Sequence, residues 1–182
     1  MAHLSPEELM AKLQAAREAG KLQRGSPPQI QLLRELVEAC PAFAPSLLDL
    51  SRSLLLGDEP AAEDDQAFAE IQHLLEQAVQ VSDRSAPALV ELAYFHDSIH
   101  NDFKTARPLY EEGAAKALAS LEDAWAGLLS SFILERQIPE ALALARQAGR
   151  VFPESARLMP RVHEARELAI AAGLLPSGST DL

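Results

Sequence analysis

Only nine of the 182 residues are aromatic, eight are glycine and one is cysteine. A lone Cys40 cannot close an internal disulfide, so nothing in the chain demands an oxidising compartment. It ends the run Leu36-Val37-Glu38-Ala39-Cys40, which reads as a buried helix end. No window approaches the roughly 18 uninterrupted apolar residues of a membrane span, and no basic leader followed by an apolar stretch opens the chain. A cytoplasmic location without membrane insertion is the expectation. Bases are scarce as well: 16 Lys and Arg face 27 Asp and Glu, for a net charge of −11. That balance argues against nucleic acid as the main ligand, because phosphate binding needs a basic face. There is no glycine-rich phosphate loop, no nucleophile elbow and no cysteine pair for zinc. No cofactor and no enzymatic activity are therefore expected.

What remains is rich in Ala and Leu, both strong helix formers. Ser5-Pro6-Glu7-Glu8 has the form of a capping box and predicts a helix bearing Leu9, Leu13 and Ala16, with Gly20 as a left-handed stop. Beyond Gly25-Ser26-Pro27-Pro28, a stripe of Ile30, Leu33, Leu36 and Val37 runs to Pro41. Pro45 opens a third helix with Leu47, Leu50, Leu54 and Leu55, closed by Gly57-Asp58-Glu59-Pro60. A fourth runs from about Glu63 to Val81. A fifth follows Ser85 and shares Leu89, Leu92, Ala93 and His96 on one face, and a sixth covers 103–119. Trp125 lies on a seventh, Ala141 on an eighth, and 155–172 makes a ninth before Gly173. The tail, 174–182, lacks apolar periodicity and is expected to be flexible.

Trp125, Leu128, Phe132, Ala141, Ala145, Ala148 and Pro153 form one spaced set, with large side chains on one helix facing small ones on the next. Small residues belong where two helix axes come closest, since a branched side chain has no room there. The order recurs 36 positions earlier as Leu89, Leu92-Ala93, His96, Ala106, Tyr110 and Gly113, and more loosely from Leu47 to Ala78. This pattern resembles the tetratricopeptide repeat, a 34-residue helical hairpin. The best copies are 86–120 and 123–155, within one domain over 1–173. The resemblance implies an all-α, right-handed hairpin solenoid of about three to four units with a C-terminal capping helix.

The resemblance also implies non-enzymatic binding of a protein or peptide in a concave groove, as an adaptor, assembly factor or chaperone. The alternative is a fixed subunit of a larger enzyme or secretion complex, including a role like that of type III secretion chaperones. Counted from the matched positions, the groove residues are Leu48 and Arg52, then Val90, Tyr94 and Asp97, then Ala126, Ser130 and Ile133, and finally Arg157 and Arg161. The Lys and Asn clamp of heat-shock co-chaperones is missing, since Val90, Tyr94, Ala126 and Ser130 stand in its place. Residues 61–123 hold thirteen acids and four bases, which suggests either favourable helix starts or a strip for a basic partner segment. A homodimer is a further expectation. His96 and His100 have the spacing that presents two imidazoles to a metal. No Glu follows His96 as the zinc protease motif requires, and packing explains the pair, so no metal is expected.

Overall fold

Proline marks the helix starts in this chain. Six of the helices carry it at the first or second position, where its missing N–H would be unsatisfied anyway and its fixed φ suits the first turn. The computed structural model describes residues 4–57 and 65–176. Among these the chain forms α1 (Pro6–Ala19), α2 (Pro27–Ala39), α3 (Ala44–Leu56), α4 (Asp65–Val81), α5 (Ala86–Ser98), α6 (Phe103–Leu134), α7 (Ile138–Val151) and α8 (Met159–Ala171), with no strand among the described residues. The expected loop at Asp58-Glu59-Pro60, the helix start at Glu63-Asp64 and the tail beyond residue 176 lie outside the described residues.

The capping box is present as spelled. The Glu8 backbone N–H donates to Ser5 Oγ at 3.2 Å, and the Ser5 backbone N–H donates to Glu8 Oε2 at 2.7 Å. Ser5→Ala is expected to cost about 1 kcal/mol, read as a lowered thermal midpoint. A midpoint equal to wild type would show that this end of α1 adds nothing to stability.

Two local expectations are corrected. Gly20 is not left-handed: its φ is −90°, and a Cβ there would lie 2.1 Å from Gln29 Oε1. It is glycine because the Gln29 side chain fills the space a Cβ needs. The left-handed residue of this connection is Gly25, with φ +76°. The expected sixth and seventh helices are also one helix, the 32-residue α6, which leaves eight rather than nine among the described residues. Between Ala114 and Ala126 there is neither Gly nor Pro, and Ala, Leu, Lys and Glu predominate, so no local signal stops the helix. By length and composition α6 is also long and apolar enough to cross a membrane.

The backbone groups into two compact units, Met1–Ala115 and Lys116–Leu182, where sequence continuity suggested one domain over 1–173. In the first unit, α1 with α2, α3 with α4, and α5 with the start of α6 make three successive hairpins around a core that includes Leu33, Leu47, Ile71, Leu89 and Phe95, each no more than 1% exposed. The third hairpin closes tightly, because a Cβ on Gly113 would come within 3.0 Å of Val90 Cγ2. In the second unit, the end of α6 with α7 makes a fourth hairpin, and α8 packs on α7. Ala141, Ala145 and Ala148 are fully buried, as the small-residue pattern predicts. Each fully buried Leu in these cores contributes about 1.5–3 kcal/mol.

The face of α6 that enters the second core is turned from the expected one. Ala126, Leu129 and Ile133 are buried at 5%, 0% and 7% exposure, while Leu128 is 45% exposed. Trp125 and Phe132 are half-buried at the edge of that core, and the Trp125 ring meets Phe152 edge-on with centroids 5.8 Å apart. The turn after α8 is closed by Gly173, whose φ is +73°, and the Leu174 N–H returns to the Ala169 carbonyl at 2.9 Å.

Candidate functional site

In the first unit the hairpin stacking brings one face of α1, α3 and α5 into register, and a chain of charges runs across it. The Arg17 guanidinium on α1 donates to Asp49 Oδ2 on α3 at 2.7 Å. One turn along α3, Arg52 donates to Asp49 Oδ1 at 3.4 Å and to Glu91 on α5 at 2.6 Å. The hydrogen bond it donates to Glu91 holds the Arg52 guanidinium above its ordinary pKa, against the opposing effect of burial. Each exposed pair contributes at most about 1 kcal/mol. Their value lies in geometry, because three successive helices are pinned edge to edge.

Beside Glu91, the α5 face presents Val90 and Tyr94, one turn apart and 41% and 51% exposed. Asp97, the next expected groove residue, is half-buried and accepts a hydrogen bond from the Tyr110 hydroxyl at 3.4 Å. Burial, with Asp97 adding to it, pushes the Tyr110 phenol up. Arg52 lies on this face as expected, whereas Leu48 is 8% exposed and belongs to the core.

The second unit holds the other expected groove residues, and the structure treats them unequally. Ile133 and Ala126 point into the core and offer no surface. Ser130 donates to the Ala126 carbonyl at 2.9 Å and accepts from Arg161 Nε at 2.6 Å. Arg161 also donates to the Arg157 carbonyl at 2.8 Å, and Arg157 pairs with Asp123. Both arginines therefore tie α8 and the turn before it to α6.

Several acids of the 61–123 stretch are likewise engaged within the chain. Glu70 accepts two bonds from Arg34, Glu112 two from Arg84, and Glu122 one from Ser155. The histidine pair sits beside an aromatic ring: His100 meets Phe95 edge-on at 4.9 Å, and the His96 and His100 rings are 6.1 Å apart. Among the described residues no group of three or more His, Cys, Asp or Glu side chains could hold a metal ion.

Sequence reasoning missed two features of the first unit. Phe95, completely buried, lies one position before the His96 that the repeat pattern selects. Arg17 and Asp49 begin the charge chain, and the only available signal was their place on the first helices of consecutive hairpins.

Successive hairpins that bury small residues at their crossings and leave one face of each first helix exposed define a helical-repeat protein, a class that serves as protein interaction modules. The family model of the Myxococcota tetratricopeptide repeat proteins matches residues 1–83. A protein from the carS 3′ region of Myxococcus xanthus, described as uncharacterized and of 18.1 kDa, is 35% identical over 164 residues, which is 90% of this chain and 95% of that relative. The crystal structure of a thermophilic tetratricopeptide repeat protein from Thermus thermophilus superposes with a TM-score of 0.53 at 20% identity, covering 90% of this chain and 84% of that one. The chain belongs to the tetratricopeptide repeat family.

Proposed function

We propose that this protein is a non-enzymatic, cytoplasmic adaptor that holds a protein or peptide against the α1, α3 and α5 face of its first unit. The observation that carries this is the exposed Val90 and Tyr94 pair beside the Arg17, Asp49, Arg52 and Glu91 chain. An apolar contact with a polar rim is the usual anatomy of a binding face, and a Tyr anchor loses little side-chain entropy on docking. Affinity capture from native lysate tests it. Tyr94→Ala is expected to weaken capture of one specific protein by about 30-fold, the effect of removing a contact worth about 2 kcal/mol, with an unchanged thermal midpoint. Equal capture by both forms would remove this face from the function.

One observation favours a second reading, as a fixed subunit of a larger complex. Along α6, Leu118, Leu121, Leu128 and Leu134 are 49%, 37%, 45% and 82% exposed, apolar surface that a permanent partner or a second copy would cover. A chain that aggregates when purified alone would favour that reading, and a soluble monomer the adaptor. Membrane insertion of α6 is a poorer account of its apolar character. The helix carries seven charged residues, and Glu122 and Asp123 within it are held by Ser155 and Arg157 of the same unit.

A further inference from the structure

The C-terminal end of α1, the turn after it and α3 enclose an open basin of about 510 Å³ in the first unit. Four cations line it, Arg17, Lys21, Arg24 and Arg52, with Asp49 as the only carboxylate among the described lining residues. These four are a quarter of all Lys and Arg in a chain of net charge −11, gathered at one place. Asp49 is already shared between Arg17 and Arg52. Lys21 reaches Glu18, which is outside the basin, and among the described residues no carboxylate pairs with Arg24. Counting Glu91 on Arg52 and Glu18 on Lys21 with Asp49, the described residues set three carboxylates against these four cations and leave Arg24 as the one without a carboxylate among them.

The turn that carries Lys21 and Arg24 is held at both ends. The buried Gln29 side chain accepts from the Gly25 N–H at 2.9 Å, Ser26 Oγ donates to the Ala19 carbonyl at 3.2 Å, and Gly25 lies against the backbone of Ser53 and Gly57. Cations on an anchored turn meet a ligand with little ordering cost. Arg24 presents a planar fork that matches a carboxylate, while Arg17 and Arg52 add positive charge beside it and keep their own bonds to Asp49 and Glu91.

We infer that this basin binds an acidic peptide segment, carboxylate side chains of the partner displacing water between Arg17, Lys21, Arg24 and Arg52. The inference rests on the reading of the α1, α3 and α5 face as a partner surface and names the partner's chemistry there. The test is fluorescence anisotropy of a fluorescein-labelled hexaglutamate peptide with the full chain, at low salt and at 150 mM NaCl, with labelled hexaserine as control. Hexaglutamate is expected to bind and hexaserine not to. The Lys21→Glu, Arg24→Glu double variant is expected to weaken binding about tenfold or more, since it removes two contacts and adds two repulsions. Both side chains are exposed, so the fold should survive. Lys21→Gln with Arg24→Gln gives a second variant of smaller effect. Arg136→Glu with Arg146→Glu in the second unit makes the same change in net charge and is expected to leave the midpoint within twofold.

Failure of hexaglutamate to bind, or equal weakening by the two distant reversals, would overturn the inference. Inorganic phosphate that competes at concentrations where acetate does not would also overturn it, by assigning the basin to phosphate. If Tyr94→Ala abolishes partner capture while hexaglutamate does not bind, the basin fails alone. If hexaglutamate binds and Tyr94→Ala changes nothing, the apolar contact fails alone.

Discussion

Phe95→Ala is expected to destabilise the protein by about 3–5 kcal/mol, the range for a large aromatic removed from a closed core. Phe95 is 0% exposed, stands 6.5 Å from the Phe68 ring, and takes the His100 ring edge-on at 4.9 Å. Loss of the ring leaves a cavity between α4 and α5 that neighbouring helices, pinned by their own hairpins, cannot close. His96→Ala, one position on, removes a half-buried ring and should cost less than about 1 kcal/mol. Urea denaturation followed by far-ultraviolet circular dichroism gives both values. Equal losses would mean that the repeat pattern, with His96 facing inward, describes α5 better than the packing does.

Gly25→Ala is expected to cost about 2–4 kcal/mol, from about 1–2 kcal/mol for a left-handed alanine and a further steric contribution of the overpacking kind. Its Cβ would lie 2.5 Å from the Gly57 nitrogen and 2.6 Å from the Ser53 carbonyl oxygen, backbone atoms that cannot rotate away. The turn would have to lift, breaking the Gln29 bond that anchors it. The same substitution at Gly127 should have the opposite sign. Nothing lies within 4 Å of a Cβ there, and the residue is on the exposed side of α6, so alanine should stabilise by about 1 kcal/mol through helix propensity. Two glycines that respond in opposite directions in one denaturation series would separate a positional requirement from mere flexibility. A Gly25→Ala midpoint equal to wild type would refute the close approach of the turn to α3.

The two corrected faces share one physical cause. A hydrophobic stripe read from sequence assumes that a helix buries a single side. On α5 the stripe through Leu89, Leu92, Ala93 and His96 is buried at its first three positions, but Ala88 and Phe95 are fully buried as well, because the helix also packs on α4 of the preceding hairpin. On α6 the stripe through Trp125, Leu128 and Phe132 was chosen for size, whereas the core takes Ala126, Leu129 and Ile133. Neighbouring stripes on a helix differ by one position, about 100°. Bulk alone does not say which of them meets α7.

The exposed candidates divide in the same way. Val90 and Tyr94 were legible as exposed positions because they fall outside the stripe of Leu89, Leu92, Ala93 and His96 on the same helix. The charge chain from Arg17 to Glu91 was not, because its members are 32 and 39 positions apart and no local spacing links them. Asp97, Arg157 and Arg161 were legible as groove positions by count, and each turns out to be bonded inside its own unit.

Most helix starts, the pairing into hairpins and the all-α repeat architecture were determined by the sequence alone. They depend on contacts a few residues apart: proline in first turns, a capping serine, and alanine where axes cross. The tertiary structure alone decided that α6 continues through the expected break, that the chain gathers into two units, and that four scattered cations share one basin. Each of these depends on which neighbour a helix face meets after the chain has folded back. That choice is made by distant side chains competing for the same buried volume, and no local spacing records it.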